Sequence, residues 1–108
     1  MEIVFSKTAT QFLKKISAKE TEKIREKLAY LLQALEAEGM IPFNELDIKN
    51  LKGEWKDYLR MRVGKTRVIF TVNVELDELQ VYDIDFRGNI YKSLKLAISA
   101  SISSRLAW

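Results

Sequence analysis

The 108-residue sequence contains neither cysteine nor histidine. The missing cysteine excludes a disulfide framework, a thiolate metal site and a cysteine nucleophile. The missing histidine removes the commonest general base and zinc ligand, and it excludes a serine–histidine catalytic triad. No other cluster of metal ligands is evident in the sequence, so neither a metal nor another cofactor is expected.

Long apolar runs are also missing. No segment approaches the roughly 20 apolar residues that a membrane-spanning helix needs. The first ten residues include an acidic side chain and lack the apolar core of a signal peptide. We therefore expect a cytoplasmic protein without membrane contact. The content of 47% hydrophobic and 31% charged residues is typical of one ordered domain with a single core.

Positive charge is concentrated in residues 49–67, which we call the basic segment. It holds seven basic and two acidic residues, a balance of +5, whereas the whole chain carries +3, so the remainder sums to −2. The sequence pI is near 9.2. This focused charge indicates an anionic partner, either nucleic acid or an acidic protein.

Two strands joined by a tight turn are predicted within the basic segment. Side chains alternate over residues 58–63, which places Arg60 and Arg62 on one face. Gly64 begins the turn, and Arg67 opens a β-branched and aromatic run. A sheet face that presents these three arginines to solvent is a candidate phosphate-binding surface. The alternative is that antiparallel sheets often keep one charged, solvated face.

Helical signals dominate the N-terminal part of the chain. A short strand over residues 2–6 precedes a first helix, capped by Ser6 or Thr8. A second helix begins at a capping box that starts with Ser17, and its apolar stripe runs to about Glu38.

An α+β fold follows from this order of elements. Residues 42–55 are predicted to be irregular, with Trp55 as a core or sheet-edge anchor rather than a base-stacking platform. Three C-terminal strands, the last over residues 79–86, form an antiparallel meander that the N-terminal strand joins. The helical hairpin covers one face of this sheet. Residues 92–108 are predicted to be a helical or flexible tail.

Two stretches carry a pattern that extends beyond composition: LKGEWKDYLRMRVGKTRVIF at residues 51–70 and VYDIDFRGNIY at residues 81–91. They contain L-x-G, then R-x-R-V-G-x-x-R-V-I-[FY], then R-x-x-[IV]-Y. In this order and spacing they resemble the RelE/ParE superfamily of toxins, in particular its RelE-like branch. The resemblance covers residues 1–91 as one domain and leaves residues 92–108 outside it.

This resemblance implies a toxin of a type II toxin–antitoxin system. Many RelE-like members are ribosome-dependent mRNA endonucleases (mRNA interferases) that cut in the A site without a metal and so inhibit translation, whereas some members have no nuclease activity. The implied partners are a RelB-like antitoxin, the ribosome and mRNA. The implied fold agrees with the α+β arrangement predicted above.

The resemblance also implies a set of site residues. Arg60 and Arg62 take the place of the basic pair on the first long strand. Arg67 takes the place of the arginine that contacts the scissile phosphate. Arg87 matches the basic residue after the last strand, and Tyr91 matches the C-terminal tyrosine. Four lysines would extend the surface that binds RNA: Lys49, Lys52, Lys56 and Lys65.

The chemistry of RNA cleavage calls for such residues. The 2′-hydroxyl attacks the adjacent phosphate, and fixed guanidinium groups stabilise the charge that develops on the phosphoryl oxygens. The proton-transfer groups are less evident, because both members of the basic pair are arginine and arginine is not a base at neutral pH. The base would have to come from the ribosome or from one of four residues: Asp83, Asp85, Glu54 or Lys52.

Three functions therefore stay open at this point. The five implied catalytic residues favour the ribosome-dependent endonuclease. A ParE-like inhibitor of DNA gyrase would act by binding alone. A catalytically weak basic module held by its antitoxin would account for the missing general base.

Overall fold

The computed structural model describes residues 1–86, which form one five-stranded sheet covered on one face by two helices. The helices and strands follow the predicted order along the chain, with one strand more than predicted. The strands are β1 (Glu2–Phe5), β2 (Ile48–Asn50), β3 (Leu59–Val63), β4 (Thr66–Asn73) and β5 (Glu78–Phe86). The helices are α1 (Lys7–Lys15) and α2 (Ala18–Glu38), and a single 3₁₀ turn spans Gly53–Trp55.

The strand order across the sheet is β1-β5-β4-β3-β2. The predicted meander of β3, β4 and β5 is confirmed, and all three strands pair antiparallel. β1 pairs parallel with β5, with Ile3 opposite Leu79. Between these two strands in sequence, the helices carry the chain across one face of the sheet from β1 to β2 at the opposite edge, and the meander then returns to β5. The α+β fold predicted from the sequence is thus confirmed.

The predicted helix boundaries also hold. Ser6 caps α1, with its hydroxyl accepting from the Ala9 N–H at 3.1 Å. Ser17 caps α2 through the Glu20 N–H at 3.2 Å. Gly39 ends α2 in the left-handed conformation at φ 67°, which a glycine adopts without a Cβ clash.

One hydrophobic core lies between the helices and the sheet. From α2, the apolar stripe contributes Ile24, Leu28 and Leu31, each at most 2% exposed. From the sheet, alternate residues of the strands point to the same core, among them Met61, Val63, Val68, Phe70, Leu79, Val81 and Ile84. The helices cover the face on which these apolar residues lie, and the opposite face has no helix packed on it.

The segment predicted to be irregular contains strand β2, which the sequence analysis missed. β2 is three residues long and pairs antiparallel with β3, with Lys49 opposite Arg60. A strand this short shows little alternation, and its pairing is decided by the neighbouring strand rather than by local pattern. The sheet therefore extends one strand beyond the meander and carries part of the basic segment at its edge.

Some of the expectations concern residues outside the described range. Arg87 and Tyr91 lie beyond it, as does the predicted tail at residues 92–108. Their roles and the boundary of the predicted domain at residue 91 stay predictions. Within residues 1–86, neither helix has the length and apolarity needed to cross a membrane.

Candidate anion-binding site

The face of the sheet that points away from the helices, which we call the open face, carries two rows of mostly charged residues. Residues directly opposite each other on paired strands share a face, so the strand registers define these rows. The first row is Arg62, Arg67 and Asp85. The second row is Lys49, Arg60, Ile69 and Asp83. The fold therefore brings the three predicted arginines of the meander together on one surface.

Arg62 is the accessible arginine of this surface, with 47% of its side chain exposed. It lies beside the β3–β4 turn, where Gly64 has a φ of 58°. Together with Lys65 and Arg67 these residues line a cavity of about 370 Å³. Two guanidinium groups, one ammonium group and a turn with no side chain at Gly64 make this cavity suited to a phosphate-sized anion.

Arg67 differs from the expectation that it is presented to solvent, since it is only 3% exposed. Its place on the middle strand puts it between Arg62 and Asp85. Its Nη1 donates to the Thr66 carbonyl at 3.1 Å and to the Gly64 carbonyl at 3.4 Å. These bonds hold the guanidinium group against its own turn, at the floor of the cavity rather than at its rim.

Arg60 and Arg62 share a partner that the sequence analysis did not identify. Arg60 Nη2 lies 3.5 Å from Asp47 Oδ1, and Arg62 Nε lies 3.6 Å from Asp47 Oδ2. The Asp47 carbonyl also accepts from the Arg62 backbone N–H at 3.1 Å. The pairing could not be read from the sequence because it depends on β2, whose register with β3 brings position 47 opposite position 62.

The carboxylates considered as general bases lie in different environments. Asp85 is half-buried, faces Arg67 across the strand pair, and accepts from the Phe86 N–H at 2.7 Å. Asp83 is 3% exposed and lies in the second row. Glu54 and Lys52 are exposed at the 3₁₀ turn. Of these four residues, Asp85 is the one that shares a row with Arg62 and Arg67.

The four predicted RNA-binding lysines are all exposed, namely Lys49, Lys52, Lys56 and Lys65. Lys49 extends the second row onto β2, and Lys65 lines the cavity at the turn. Lys52 and Lys56 flank the 3₁₀ turn. The lysines thus lie along the edge of the open face.

Aromatic side chains cover another part of the open face. Trp55, Tyr58 and Tyr82 pack against one another with ring centroids 5.0–5.5 Å apart, and they contact Ile69. Tyr82 reaches this side at a register shift between Ile69 and Phe70. Trp55 therefore packs as an anchor on the sheet, as its sequence context predicted.

Residues 1–86 hold no group of three or more histidine, cysteine, aspartate or glutamate side chains arranged to bind a metal ion. The charged side chains of the described site are guanidinium, ammonium and carboxylate groups. Such a set binds and orients anions, and it stabilises negative charge as that charge develops.

The comparisons with known proteins place this fold. No protein-family model and no curated protein sequence matches the chain. Among solved structures, an archaeal RelE–RelB complex from Pyrococcus horikoshii is similar at 24% identity, with a TM-score of 0.62 over 81% of this chain and 94% of that chain. A RelB–RelE antitoxin–toxin complex from Methanococcus jannaschii is similar at 26% identity, with a TM-score of 0.58 over 82% and 94%.

A YoeB/ParE toxin from Agrobacterium tumefaciens is also similar, at 23% identity and a TM-score of 0.63 over 81% of this chain and 99% of that chain. Further similar structures are YafQ and isolated RelE from E. coli. The chain has the fold of the RelE/ParE superfamily of toxins, and the resemblance found in the sequence is confirmed.

Proposed function

We propose that this protein is the toxin of a type II toxin–antitoxin system and that it acts in the cytoplasm as a ribosome-dependent mRNA endonuclease. The observation that carries the proposal is the first row of the open face, where Arg62 and Arg67 line one cavity of about 370 Å³ together with Lys65. The fold shared with RelE-type toxins supports the same function.

In the proposed reaction, mRNA in the ribosomal A site lies across the open face with its scissile phosphate in this cavity. The 2′-hydroxyl of the preceding nucleotide loses its proton and attacks the phosphorus, and the bond to the 5′-oxygen breaks as that oxygen takes a proton from water, which leaves a 2′,3′-cyclic phosphate and a 5′-hydroxyl. Arg62 at the rim and Arg67 at the floor stabilise the negative charge that gathers on the phosphoryl oxygens. The lysines at the edge bind neighbouring phosphates and ribosomal RNA.

The proposed proton acceptor among the described residues is Asp85. It is half-buried beside Arg67, whereas Asp83 is almost fully buried and Glu54 lies on the exposed 3₁₀ turn. Arg87 and Tyr91, which follow β5 in the sequence, remain predicted catalytic residues, with Tyr91 either orienting the 2′-hydroxyl or stacking on a base. The ribosome is the other possible source of a proton acceptor.

A RelB-like antitoxin is the proposed protein partner. Two of the similar structures are RelE–RelB complexes. An antitoxin that neutralises this protein has to compete with RNA, and acidic groups are complementary to the basic segment.

Primer extension on an mRNA in a purified translation reaction tests the nuclease proposal. We expect cuts within ribosome-occupied codons, and about 10²–10³-fold slower cutting by Arg62→Ala, because one charge-stabilising donor is lost. Arg25→Ala is the matched control, since Arg25 is 73% exposed on α2, away from the open face. Intact message with the wild-type protein would refute the nuclease proposal.

A second candidate is a basic module that binds without cutting RNA, either as a ParE-like gyrase inhibitor or in complex with its antitoxin. It is favoured by the bonds that tie the Arg67 guanidinium group to its own turn. It also accommodates the YoeB/ParE toxin among the similar structures. Inhibition of gyrase supercoiling by the purified protein, without cut message, would establish the gyrase function.

A further inference from the structure

Asp47 precedes β2 and has an unusual backbone conformation. Its φ is 51°, in the left-handed region that most residues other than glycine avoid and that aspartate and asparagine tolerate. Within the same turn the Ile48 N–H donates to the Phe43 carbonyl at 2.8 Å, so the turn is closed by backbone bonds. The carboxylate of Asp47 is oriented by its contacts with Arg60 and Arg62.

The Asp47 carboxylate points to the open face and lies between two guanidinium groups. Each of its oxygens contacts a different arginine, Arg60 at 3.5 Å and Arg62 at 3.6 Å. Both distances exceed the 2.7–2.9 Å typical of charge-assisted hydrogen bonds. The carboxylate is therefore close enough to pair with both guanidinium groups without a short hydrogen bond to either.

The two arginines differ in burial, so the Asp47 carboxylate has a different effect on each. Only 12% of the Arg60 side chain is exposed, and within residues 1–86 its Nε has no hydrogen-bond partner. Asp47 thus supplies the acceptor that compensates part of the buried charge. At half-exposed Arg62, the same carboxylate competes directly with an incoming phosphate.

We propose that Asp47 is a positioning residue that holds the buried Arg60 and occupies the site of an RNA phosphate on Arg62 until RNA displaces it. This inference rests on the proposed role of these arginines in binding RNA, and it does not depend on cleavage. Asp47 holds the arginine pair in place before binding, and its charge lowers the affinity of the open face for RNA. When RNA binds, its phosphate replaces the Asp47 carboxylate as the partner of the Arg62 guanidinium group.

The test measures the affinity of the full-length protein for a 2′-O-methylated hexaribonucleotide, which carries the phosphates of RNA and cannot be cut by 2′-hydroxyl attack. Asp47→Asn keeps the shape of the side chain and tolerates the left-handed backbone. We expect it to bind the probe about fivefold more tightly, the effect of removing one like charge at about 4 Å in water. We also expect the slope of log affinity against log salt to steepen by about 0.7, because in the wild type the displaced carboxylate takes up a cation that offsets one counterion released from the RNA.

Glu45→Gln is the matched control for the loss of a negative charge, because Glu45 is exposed in the same turn, two residues earlier. It should leave both the affinity and the salt slope unchanged. In an Arg62→Ala background, the effect of Asp47→Asn should shrink below twofold. The Nε–H resonance of Arg62 should shift on Asp47→Asn substitution, and the same resonance should shift in the wild type when the probe is added.

Equal affinity of wild type and Asp47→Asn would overturn the inference, as would an equal gain from Glu45→Gln or binding of the probe by neither protein. The cleavage experiment tests the proposed nuclease activity independently of the role of Asp47. Tighter binding by Asp47→Asn, combined with no cleavage by the wild type on ribosomes, would refute the nuclease and keep the role of Asp47. Cleavage with no effect of Asp47→Asn on affinity would refute only the role of Asp47.

Discussion

At the scale of single residues, arginines of the same row differ in what they can do. Arg62 is half-exposed at the rim of the cavity, whereas Arg67 is buried at its floor and donates to two backbone carbonyls. A buried guanidinium group is coupled to the stability of the fold, and an exposed one is available to a ligand. Arg62 is therefore the better position for separating function from folding.

We expect Arg67→Ala to lower the free energy of unfolding by about 3 kcal/mol, because buried hydrogen bonds and packing are lost. Arg62→Ala should change it by less than about 0.5 kcal/mol, as is usual for half-exposed ion pairs. Urea unfolding followed by far-UV circular dichroism measures both. Equal losses of unfolding free energy in the two variants would contradict this expectation. Slower cutting by Arg62→Ala would then not separate a loss of function from a loss of folding.

The sequence could identify the arginines of this site but not their surroundings. Alternation along β3 placed Arg60 and Arg62 on one face, and the strand registers confirm this. Burial of Arg67 depends on its position on the middle strand, and the Asp47 contact depends on the β2–β3 register. Both are properties of strand pairing, which short-range patterns do not encode.

At the scale of elements, both helices have a serine hydroxyl as their N-cap, and the two serines differ in burial and in hydrogen-bond partners. Ser17 is an exposed cap whose hydroxyl accepts from the Glu20 N–H. Ser6 is 2% exposed and does more, since its hydroxyl accepts from the Ala9 N–H and also donates to the Tyr82 carbonyl. The Ser6 cap thus joins α1 to β5, the strand that carries Asp83 and Asp85.

Ser17→Ala should therefore cost about 1 kcal/mol of stability, the usual value for a lost N-cap. Ser6→Ala should cost about 2–3 kcal/mol, because the Tyr82 carbonyl also loses a buried donor. Guanidinium chloride unfolding of the two variants gives the comparison. A Ser6→Ala loss no larger than that of Ser17→Ala would show that the bond to β5 adds nothing.

The elements with strong local signals were predicted well, and the missed ones lacked such signals. The capping residues, the apolar stripe of α2 and Gly39 each act through neighbours in sequence, so both helices could be located. Strand β2 and the register shift near Ile69 arise from contacts between distant segments. The five-stranded extent of the sheet therefore emerged only from the structure.

At the scale of the whole molecule, the sheet separates two apolar clusters of unequal size. The main core lies under the helices, and a second cluster on the open face packs Trp55, Tyr58 and Tyr82 against Ile69. Adjacent residues of β4 serve the two sides, with Val68 in the main core and Ile69 in the second cluster. The aromatic cluster thus limits the charged part of the open face and adds buried apolar area to a small domain.

Ile69→Ala tests whether this second cluster stabilises the entire domain. Ile69 is 1% exposed, so its truncation should cost about 2–4 kcal/mol. Because β4 is shared by both clusters, we expect one cooperative transition with coincident tryptophan fluorescence and far-UV circular dichroism. Val74→Ala, at an 81% exposed position, is the control and should change stability by less than about 0.5 kcal/mol. Separate transitions in Ile69→Ala would mean that the aromatic cluster unfolds independently of the main core. The cluster would then not stabilise the part of the sheet that carries the two rows of the open face.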